Sequence, residues 1–362
     1  MTYITEKTKI IETKIQQFIA EWNFQYPLNK VIPYILESGG KHIRPILSLL
    51  SCEAVNGQVD AVIKPAIAIE LIHNASLLWD DVIDADELRR GKITVHKKWD
   101  KNVALLTGGL LASKALELIS DKPEILDLYV KAIGKMIEGQ VLDISNNFNK
   151  KEQIFESKNE KEIFEILRKR FQQKALEGIE WEESGDLSLI ADFTEFEEER
   201  DYFEMISYKT SALIKLAARI GASLGGGTPE EIQALANYGL YLGLAFQVRD
   251  DLIGILSSEK TLGKPIASDL RQRKLNLYTI FALRNLNDEE LQEFLNLMQD
   301  STLPDNLQKL NSILEKSGAF EYTKTKLKLL AQKARSSLDA LHNSEAKQIL
   351  NQLITFTIER DF

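Results

Sequence analysis

Apolar residues recur at helical spacing along almost the whole chain, whereas the alternation typical of strands is hard to find. Pro27 and Pro33 bound an early segment that ends at Gly39-Gly40, a combination typical of a helix stop. The stripe before it comprises Ile10, Ile11, Ile15, Phe18 and Ile19. The spacing therefore predicts helices throughout the chain.

The segment from Pro65 to about Arg89 is apolar on most sides, which is typical of a helix inside a bundle. We predict several further helices between residue 286 and Arg360. Other helices are predicted over roughly Val103–Leu118, Pro123–Asn147, Tyr202–Leu224, Pro229–Leu256 and Leu275–Leu286. The sequence predicts an all-α fold, in which residues 1–362 form one domain of many helices packed around a buried central helix.

One region departs from this pattern. Residues 150–200 carry 15 acidic and 9 basic residues, and hence most of the net charge of −9. The region contains a candidate amphipathic helix formed by Ile163, Phe164, Leu167, Phe171 and Ala175, followed by the polar string EWEESGD. We predict an acidic insertion at about 148–198. A solvated surface excursion is favoured over a lid or a docking element.

Composition narrows the classes of function. An acidic chain without a dense basic tract is a poor candidate for binding nucleic acid or an anionic membrane surface. With Cys52 as the only cysteine, an intramolecular disulfide and a zinc cluster are excluded. The N-terminal string MTYITEKTKI lacks the features of a signal peptide, and no apolar run has the length of a transmembrane segment. We expect a soluble cytoplasmic protein.

The string DDVIDADELRRG carries the strongest chemical signal. On a helix, Asp80 and Asp84 lie on one face within reach of a common ion, and Asp81 can support them from the side. Mg²⁺ usually takes one or two carboxylates together with substrate phosphates. The apolar residues around these aspartates favour a cleft over an exposed acidic face.

Arginines follow these carboxylates. Arg89 and Arg90 match phosphate oxygens in bidentate fashion, and Gly91 is expected to end the helix. The alternative is that both arginines neutralise a helix C-terminus. In GGKHIRP, Lys41 and Arg44 would form a cationic pocket for a second phosphate group, unless they are solvent-facing bases after a glycine cap.

Two later strings add polar groups to apolar helices. YKTSAL places Lys209 and Thr210 where a buried lysine needs an anion. FQVRDDLIG and the following LGKPIASDLRQRKLN supply Gln247, Asp250, Asp251, Lys264, Asp269 and Lys274. The sequence offers no Ser/His/Asp or Cys/His arrangement, which agrees with a reaction that needs no protein nucleophile.

Together these strings resemble the trans-isoprenyl diphosphate synthases, the all-trans polyprenyl synthetase family. GGKHIRP, HNASLLWDDVIDADELRRG, EGQVLDI, YFEMISYKT and FQVRDDLIG follow in the family's order, and the terminal IERDF is also similar. The resemblance covers the chain except for about 148–198. It implies the all-α isoprenoid synthase fold with a central cavity. It also implies a homodimeric, Mg²⁺-dependent transferase that condenses isopentenyl diphosphate with an allylic diphosphate.

The resemblance also implies a role for each matching residue. About three Mg²⁺ ions would be held by Asp80, Asp84 and Asp250, with support from Asp81 and Asp251. The allylic diphosphate would contact Arg89, Lys209, Thr210, Gln247, Lys264 and Lys274. Isopentenyl diphosphate would contact Lys41, Arg44, His73 and Arg90. A lone histidine on an apolar helix is more often a core residue, but His73 lies two turns before Asp80.

The product tail is expected to run along the helix before Asp80. Ala75 and Ser76 are small, whereas family members with short products often have aromatic residues there. Leu71 and Ile72 form the next layer and would act as a floor. We therefore predict geranylgeranyl diphosphate or a longer product.

Several residues depart from the family's pattern, and other functions remain as alternatives. A non-catalytic or regulatory subunit of a heteromeric synthase would not need intact carboxylates and arginines. A class I terpene cyclase should carry an Asn/Ser/Glu metal triad where FQVRDDLIG offers carboxylates, and a purely structural helical protein would not concentrate cations opposite carboxylates. The departures are Gly254, Arg273, Asn276, Gly109 and Trp79.

Overall fold

The computed structural model describes residues 2–37, 39–145, 186–191, 193–256, 268–271, 274–299 and 304–358. Within these ranges helices dominate, and the two strands found there form one short hairpin. The prediction of an all-α fold is confirmed.

The first half of the chain contains α1 (Thr2–Glu21), α2 (Leu28–Leu36), α3 (Ile43–Ala54), α4 (Asp60–Ile83), β1 (Leu88–Arg89), β2 (Lys92–Ile93), α5 (Val95–Lys98), α6 (Lys101–Leu118) and α7 (Pro123–Ser145). The second half contains α8 (Asp186–Ala191), α9 (Glu197–Ile206), a π-helical turn (Ser207–Ser211), α10 (Ala212–Leu224), α11 (Pro229–Leu256), α12 (Ser268–Arg271) and α13 (Leu277–Asn285). It ends with α14 (Asp288–Gln299), α15 (Pro304–Lys316), α16 (Ala319–Ser337), a 3₁₀ turn (Leu338–Ala340) and α17 (Glu345–Ile358).

The predicted helix from Pro65 to Arg89 is wrong at its C-terminal end. Helix α4 ends at Ile83, and Ala85 then adopts a φ of 56°, a left-handed conformation that stops the helix. Leu88 pairs with Ile93 and Arg89 with Lys92, so Arg90 and Gly91 form the two-residue turn of a hairpin. Both turn residues have positive φ, 51° and 74°, as a type I′ turn requires.

Contacts within the chain group into two compact units, and each is described by itself. Unit 1 comprises the described parts of Met1–Gly134, Ala212–Tyr241 and Lys333–Phe356, and unit 2 those of Lys135–Ser211, Leu242–Gln332 and Thr357–Phe362. The single-domain organisation stays a prediction.

Helix α4 is the core of unit 1. It packs against α3, α6 and α10, and most of its side chains are buried, including Ile67, Ile69 and Leu71. The Tyr129 hydroxyl of α7 donates a hydrogen bond to the Pro65 carbonyl at 2.7 Å. Helix α4 has the length and hydropathy of a membrane span, but burial of most of that stretch is what a core helix requires.

Unit 2 is built on α9 and the π-helical turn that follows it. Helix α9 packs against α8 and α13 and buries Tyr202 and Phe203. The predicted insertion lies outside the described residues from 146 to 185, but its end is packed into this unit. Phe193 is fully buried, and Glu198 forms a 2.6 Å ion pair with Arg284 of α13.

Candidate active site

The first aspartate motif lies at the C-terminal end of α4 in unit 1. Asp80 is half-exposed, and its carbonyl accepts a hydrogen bond from the Asp84 amide at 2.8 Å, so these two residues stand one turn apart. Asp81 is buried and accepts a hydrogen bond from Arg89 Nε, and Asp86 lies 3.6 Å from Arg89 Nη2. Arg89 is therefore held between two carboxylates of the same segment.

Arg90 joins the hairpin to the GGKHIRP segment. Its guanidinium donates a hydrogen bond to the Gly39 carbonyl and packs against Gly40, where a Cβ atom would lie 2.7 Å from Arg90 Nη1. Gly39 itself has a φ of 75°. The glycine pair therefore has two functions, a left-handed backbone turn and room for the arginine of the other motif.

The bases after this glycine pair have different environments. Lys41 is exposed, with its Nζ 4.5 Å from the centre of the Phe356 ring on α17. Arg44 is half-buried in the first turn of α3. His42, between them, is buried and donates a hydrogen bond from Nδ1 to Glu70 Oε1 at 2.9 Å. Neither His42 nor Glu70 was assigned a role in the sequence analysis.

His73 lies on α4, half-buried, near this group of cations. Burial and the positive charge of Arg44 lower the pKa of His73 well below its ordinary value, against the opposing effect of Glu70. The imidazole is therefore neutral near pH 7 and is available as a hydrogen-bond donor. The backbone carbonyl of His73 accepts a hydrogen bond from the Ser76 hydroxyl at 2.8 Å.

A cleft with an open volume of about 420 Å³ lies beside the hairpin. Its lining includes Asn74, Asp81, Arg89 and Arg90, together with apolar side chains of α4 and β2. Of the four residues predicted to set product length, Leu71, Ile72 and Ala75 are buried in the core of unit 1, and Ser76 is half-buried.

Unit 2 contains a second cleft, with an open volume of about 440 Å³. Asp143 of α7 lies in it with Oδ2 2.7 Å from Lys209 Nζ and 3.1 Å from Lys274 Nζ. Burial disfavours the Asp143 charge, but the two ammonium groups outweigh burial and lower its pKa. Gly139 permits this approach, because a Cβ atom there would overlap the backbone of Lys209. Asp143 lies in the string EGQVLDI, and its role was not predicted from the sequence.

The remaining groups in this cleft form a hydrogen-bonded chain. The Thr210 hydroxyl donates to Gln247 Oε1 at 2.7 Å, and Gln247 Nε2 donates to Asp251 Oδ1 at 2.8 Å. Asp251 Oδ2 also accepts from the Tyr202 hydroxyl at 2.6 Å. Burial and the nearby charge of Asp269 raise the pKa of Asp251 to about 7, although the hydrogen bonds from Tyr202 and Gln247 oppose the shift.

Asp250 is half-exposed on α11, unlike its buried neighbour Asp251. A Cβ atom on Gly254, one turn later, would meet nothing within 4 Å. Asn276 caps α13, with its side-chain oxygen accepting from the Thr279 amide at 3.4 Å. Lys264 and Arg273 lie outside the described residues.

The other two departures lie on α4 and α6. Trp79 packs against Gly108, where a Cβ atom would lie within 2.4 Å of the indole nitrogen, and its Nε1 donates to the Leu105 carbonyl at 3.4 Å. Gly109 has open space around its α-carbon. A tryptophan at position 79 is therefore matched to a glycine across the helix pair.

The residues present fit Mg²⁺ better than a metal that requires a complete protein cage. In the described part of the chain, no three His, Cys, Asp or Glu side chains are grouped closely enough to hold an ion by themselves. The available donors are the half-exposed carboxylates of Asp80, Asp84 and Asp250. Mg²⁺ prefers such hard oxygen ligands and commonly completes its shell with water and substrate phosphates.

The sequence matches a family of known proteins. The model of the polyprenyl synthetase family matches residues 25–171 and 159–316. A short chain isoprenyl diphosphate synthase from Methanothermobacter thermautotrophicus is 32% identical over 100% of this chain and 98% of its own length. Heptaprenyl diphosphate synthase component 2 from Bacillus subtilis is 26% identical over 100% of this chain and 90% of its own.

A solved structure is similar along the whole chain. Geranylgeranyl pyrophosphate synthetase from Pyrococcus horikoshii superimposes with a TM-score of 0.78 at 33% identity, covering 99% of this chain and 98% of that one. The family match and these full-length similarities agree with the order of motifs along the sequence. The protein belongs to the polyprenyl synthetase family.

Proposed function

We propose that the protein is a Mg²⁺-dependent trans-prenyltransferase that condenses isopentenyl diphosphate with an allylic diphosphate. Family membership supports the class of reaction. The structural observation that carries the proposal is the Lys209–Asp143–Lys274 cluster, in which two ammonium groups share one carboxylate inside a cleft. Such a pair of cations is suited to a polyanionic ligand, because each lysine can turn from the carboxylate to a phosphate oxygen.

The proposal divides the polar residues between two substrates. Asp80, Asp84 and Asp250 would hold Mg²⁺, which supplies charge neutralisation for the departing pyrophosphate. The allylic diphosphate would be bound by Arg89, Lys209, Thr210, Gln247, Lys264 and Lys274. Isopentenyl diphosphate would be bound by Lys41, Arg44, His73 and Arg90.

The chain's residues then have three tasks during the reaction. The cations stabilise the negative charge that develops on the leaving pyrophosphate as the allylic carbon–oxygen bond breaks. They also hold the isopentenyl double bond close to the resulting allylic cation, so that a carbon–carbon bond forms. A proton is then lost from the new chain to the pyrophosphate. Apolar neighbours of the aspartates, such as Leu78, help to keep water from the cation.

The test is an incorporation assay with purified protein, isotopically labelled isopentenyl diphosphate and each of three allylic primers, dimethylallyl, geranyl and farnesyl diphosphate. We expect incorporation with Mg²⁺ and none after chelation with EDTA. Chromatographic sizing of the products identifies the chain length. Failure to incorporate label with any primer in the presence of Mg²⁺ would contradict the proposal.

For the product we propose geranylgeranyl diphosphate or a longer chain, because Ala75 and Ser76 are small. We expect Ala75→Phe to shorten the main product by at least one isoprene unit, since the ring would occupy the path of the tail. Product sizing against Ala75→Val, which adds less volume at the same position, measures the effect. An unchanged product length in Ala75→Phe would exclude this path.

A second candidate is a subunit of a heteromeric synthase, which the similarity to heptaprenyl diphosphate synthase component 2 favours. We propose a homodimer in the cytoplasm as the working assembly. Large apolar side chains exposed on the unit 1 parts of α6 and α7 support a partner surface: Leu105, Leu106 and Val130. Light scattering of the purified protein measures its mass, and a monomer that is active only after another subunit is added would favour the heteromer.

A further inference from the structure

A buried carboxylate lies among the cations that we assign to isopentenyl diphosphate. Glu70, in the middle of α4, is 3% exposed. Burial raises its pKa, but the hydrogen bond from His42 and nearby positive charge, including that of Arg44, outweigh burial and lower the pKa to about 2. Glu70 is therefore ionised at neutral pH, in a place where an unpaired charge would be costly.

His42 connects this carboxylate to the GGKHIRP segment. It has a φ of 43° and a ψ of 37° immediately before α3, an unusual conformation for a residue other than glycine. Its ring is buried, with Nδ1 2.9 Å from Glu70 Oε1 and Nε2 3.7 Å from Glu12 Oε1. Lys41 directly precedes His42, and Arg44 follows it by two residues. The hydrogen bond between His42 and Glu70 therefore fixes the backbone from which both basic side chains extend.

Glu70 also acts on the other residues that we assign to isopentenyl diphosphate. The positive charges of Arg44 and Arg90 both lower the pKa of His73, so two like charges lie around one neutral imidazole, where they repel each other. A diphosphate would remove that repulsion, but before it binds the group needs another counter-charge. Glu70 counteracts these charges at both His73 and Arg90. Asn74 Nδ2 also reaches the Glu70 carboxylate, donating to Oε1 at 3.4 Å in addition to the Glu70 backbone carbonyl at 2.8 Å.

We propose that Glu70 is a positioning residue for isopentenyl diphosphate. Through its hydrogen bond with His42 it fixes the segment that presents Lys41 and Arg44, and its charge holds the cations together before the substrate binds. The inference rests on the proposed function, since it takes isopentenyl diphosphate as the ligand of these cations.

The direction in which neutralising Glu70 changes the affinity for isopentenyl diphosphate distinguishes two roles for this residue. If Glu70 only contributed negative potential, its neutralisation would strengthen the binding of an anion. If Glu70 positions the cations, the same change weakens binding, because the bases are no longer held in the geometry that the diphosphate requires.

The experiment uses the full-length protein with four substitutions. Glu70→Gln removes the charge, and His42→Gly removes the imidazole while accepting the positive φ. His42→Asn also tolerates positive φ and keeps an amide that donates to Glu70. The matched control is Glu53→Gln, which removes a carboxylate that contacts Lys7 and Tyr3. Glu53 lies roughly 13 Å from Arg44 along α3.

Binding of isopentenyl diphosphate alone is measured by calorimetry, and kcat and KM are measured for both substrates. We expect Glu70→Gln and His42→Gly each to raise the Kd and KM for isopentenyl diphosphate about tenfold. The KM for the allylic substrate and the kcat should change much less. His42→Asn should restore most of the affinity, Glu53→Gln should match wild type, and the double variant Glu70→Gln/His42→Gly should be no worse than either single variant.

Tighter binding by Glu70→Gln, equal losses for both substrates, additive losses in the double variant, or no rescue by His42→Asn would each overturn the inference. Thermal unfolding separates misfolded variants from weak binders, and His42→Asn and His42→Gly decide the question if Glu70→Gln does not fold. Failure of the wild-type protein to bind isopentenyl diphosphate would instead contradict the proposed function.

Discussion

In both acidic motifs the first aspartate is half-exposed and the second is buried: Asp80 and Asp81 on α4, Asp250 and Asp251 on α11. The partners of the buried residues differ. Asp81 accepts a hydrogen bond from the cation Arg89, whereas Asp251 accepts hydrogen bonds from the neutral groups of Tyr202 and Gln247. We propose that the half-exposed first aspartates hold Mg²⁺ and that the buried second ones orient phosphate-binding side chains.

The two motifs also differ one turn later. Asp84 follows Asp80 at the end of α4, whereas Gly254 follows Asp250 inside α11. Unit 1 therefore offers two carboxylates on adjacent turns and unit 2 offers one. Unit 2 instead offers two cations in its cleft, because Lys209 and Lys274 both form ion pairs with Asp143.

The largest expected effect separates first from second aspartates. We expect Asp80→Asn and Asp250→Asn each to lower kcat by about a thousandfold, because the amide cannot neutralise a metal ion. Asp81→Asn and Asp251→Asn, as matched controls, should lower kcat much less. Steady-state assays at saturating substrate measure this, and equal losses at all four positions would remove the distinction between the two kinds of aspartate.

The positive charge of Arg89, the hydrogen-bond partner of Asp81, should contribute to the stability of the protein. We expect Arg89→Gln to lower the free energy of unfolding by about 2 kcal/mol, because a buried carboxylate loses its cation. Urea unfolding measures the change. Lys92→Gln is the control, since it removes an exposed base from the same hairpin. A loss in Arg89→Gln no larger than in the control would show that Asp81 does not depend on this arginine.

The burial of Asp251 near the charge of Asp269 should appear in the pH dependence of stability. Its pKa is raised from 3.8 to about 7, so between these values the folded protein holds a proton that the unfolded chain has released. The contribution of this group to stability is therefore greatest at low pH and is lost as the pH rises towards 7. In metal-free buffer, we expect Tm to fall more between pH 5 and pH 7 in wild type than in Asp251→Asn. Parallel curves would contradict this assignment.

The smallest expected effect comes from supplying the missing carboxylate. Gly254→Asp should fit, because a Cβ atom there meets no neighbour, and it would place a second carboxylate one turn after Asp250. We expect the Mg²⁺ concentration for half-maximal activity to fall about threefold. Gly254→Ala controls for the added Cβ, and an equal shift in both variants would show that the new carboxylate does not act on the metal.

Helical periodicity predicted the fold well because apolar residues recur at helical spacing in the helices that the structure describes, and the predicted limits of α11, Pro229 and Leu256, match the structure. The predicted end of α4 was wrong because Ala85 takes a left-handed conformation that local sequence preference does not favour, and Arg90 does the same in the hairpin turn. Only its partner across the turn, Gly91, is a recognisable signal of a type I′ hairpin.

Pairs distant in the sequence could not be predicted in this way. Asp143 lies 66 residues before Lys209 and 131 before Lys274, and His42 lies 28 before Glu70. Each pair exists because helices pack at a particular rotation, which a single sequence does not reveal. A glycine that permits close approach, such as Gly139 beside Lys209, is the local signal that could have pointed to Asp143.

The most direct test of the division between half-exposed and buried aspartates is the number of Mn²⁺ ions bound with inorganic pyrophosphate, measured by electron paramagnetic resonance. We expect about three ions in wild type, fewer in Asp80→Asn and Asp250→Asn, and the wild-type number in Asp81→Asn and Asp251→Asn. An unchanged number in Asp80→Asn and Asp250→Asn, or a loss of ions in Asp81→Asn and Asp251→Asn, would contradict the account.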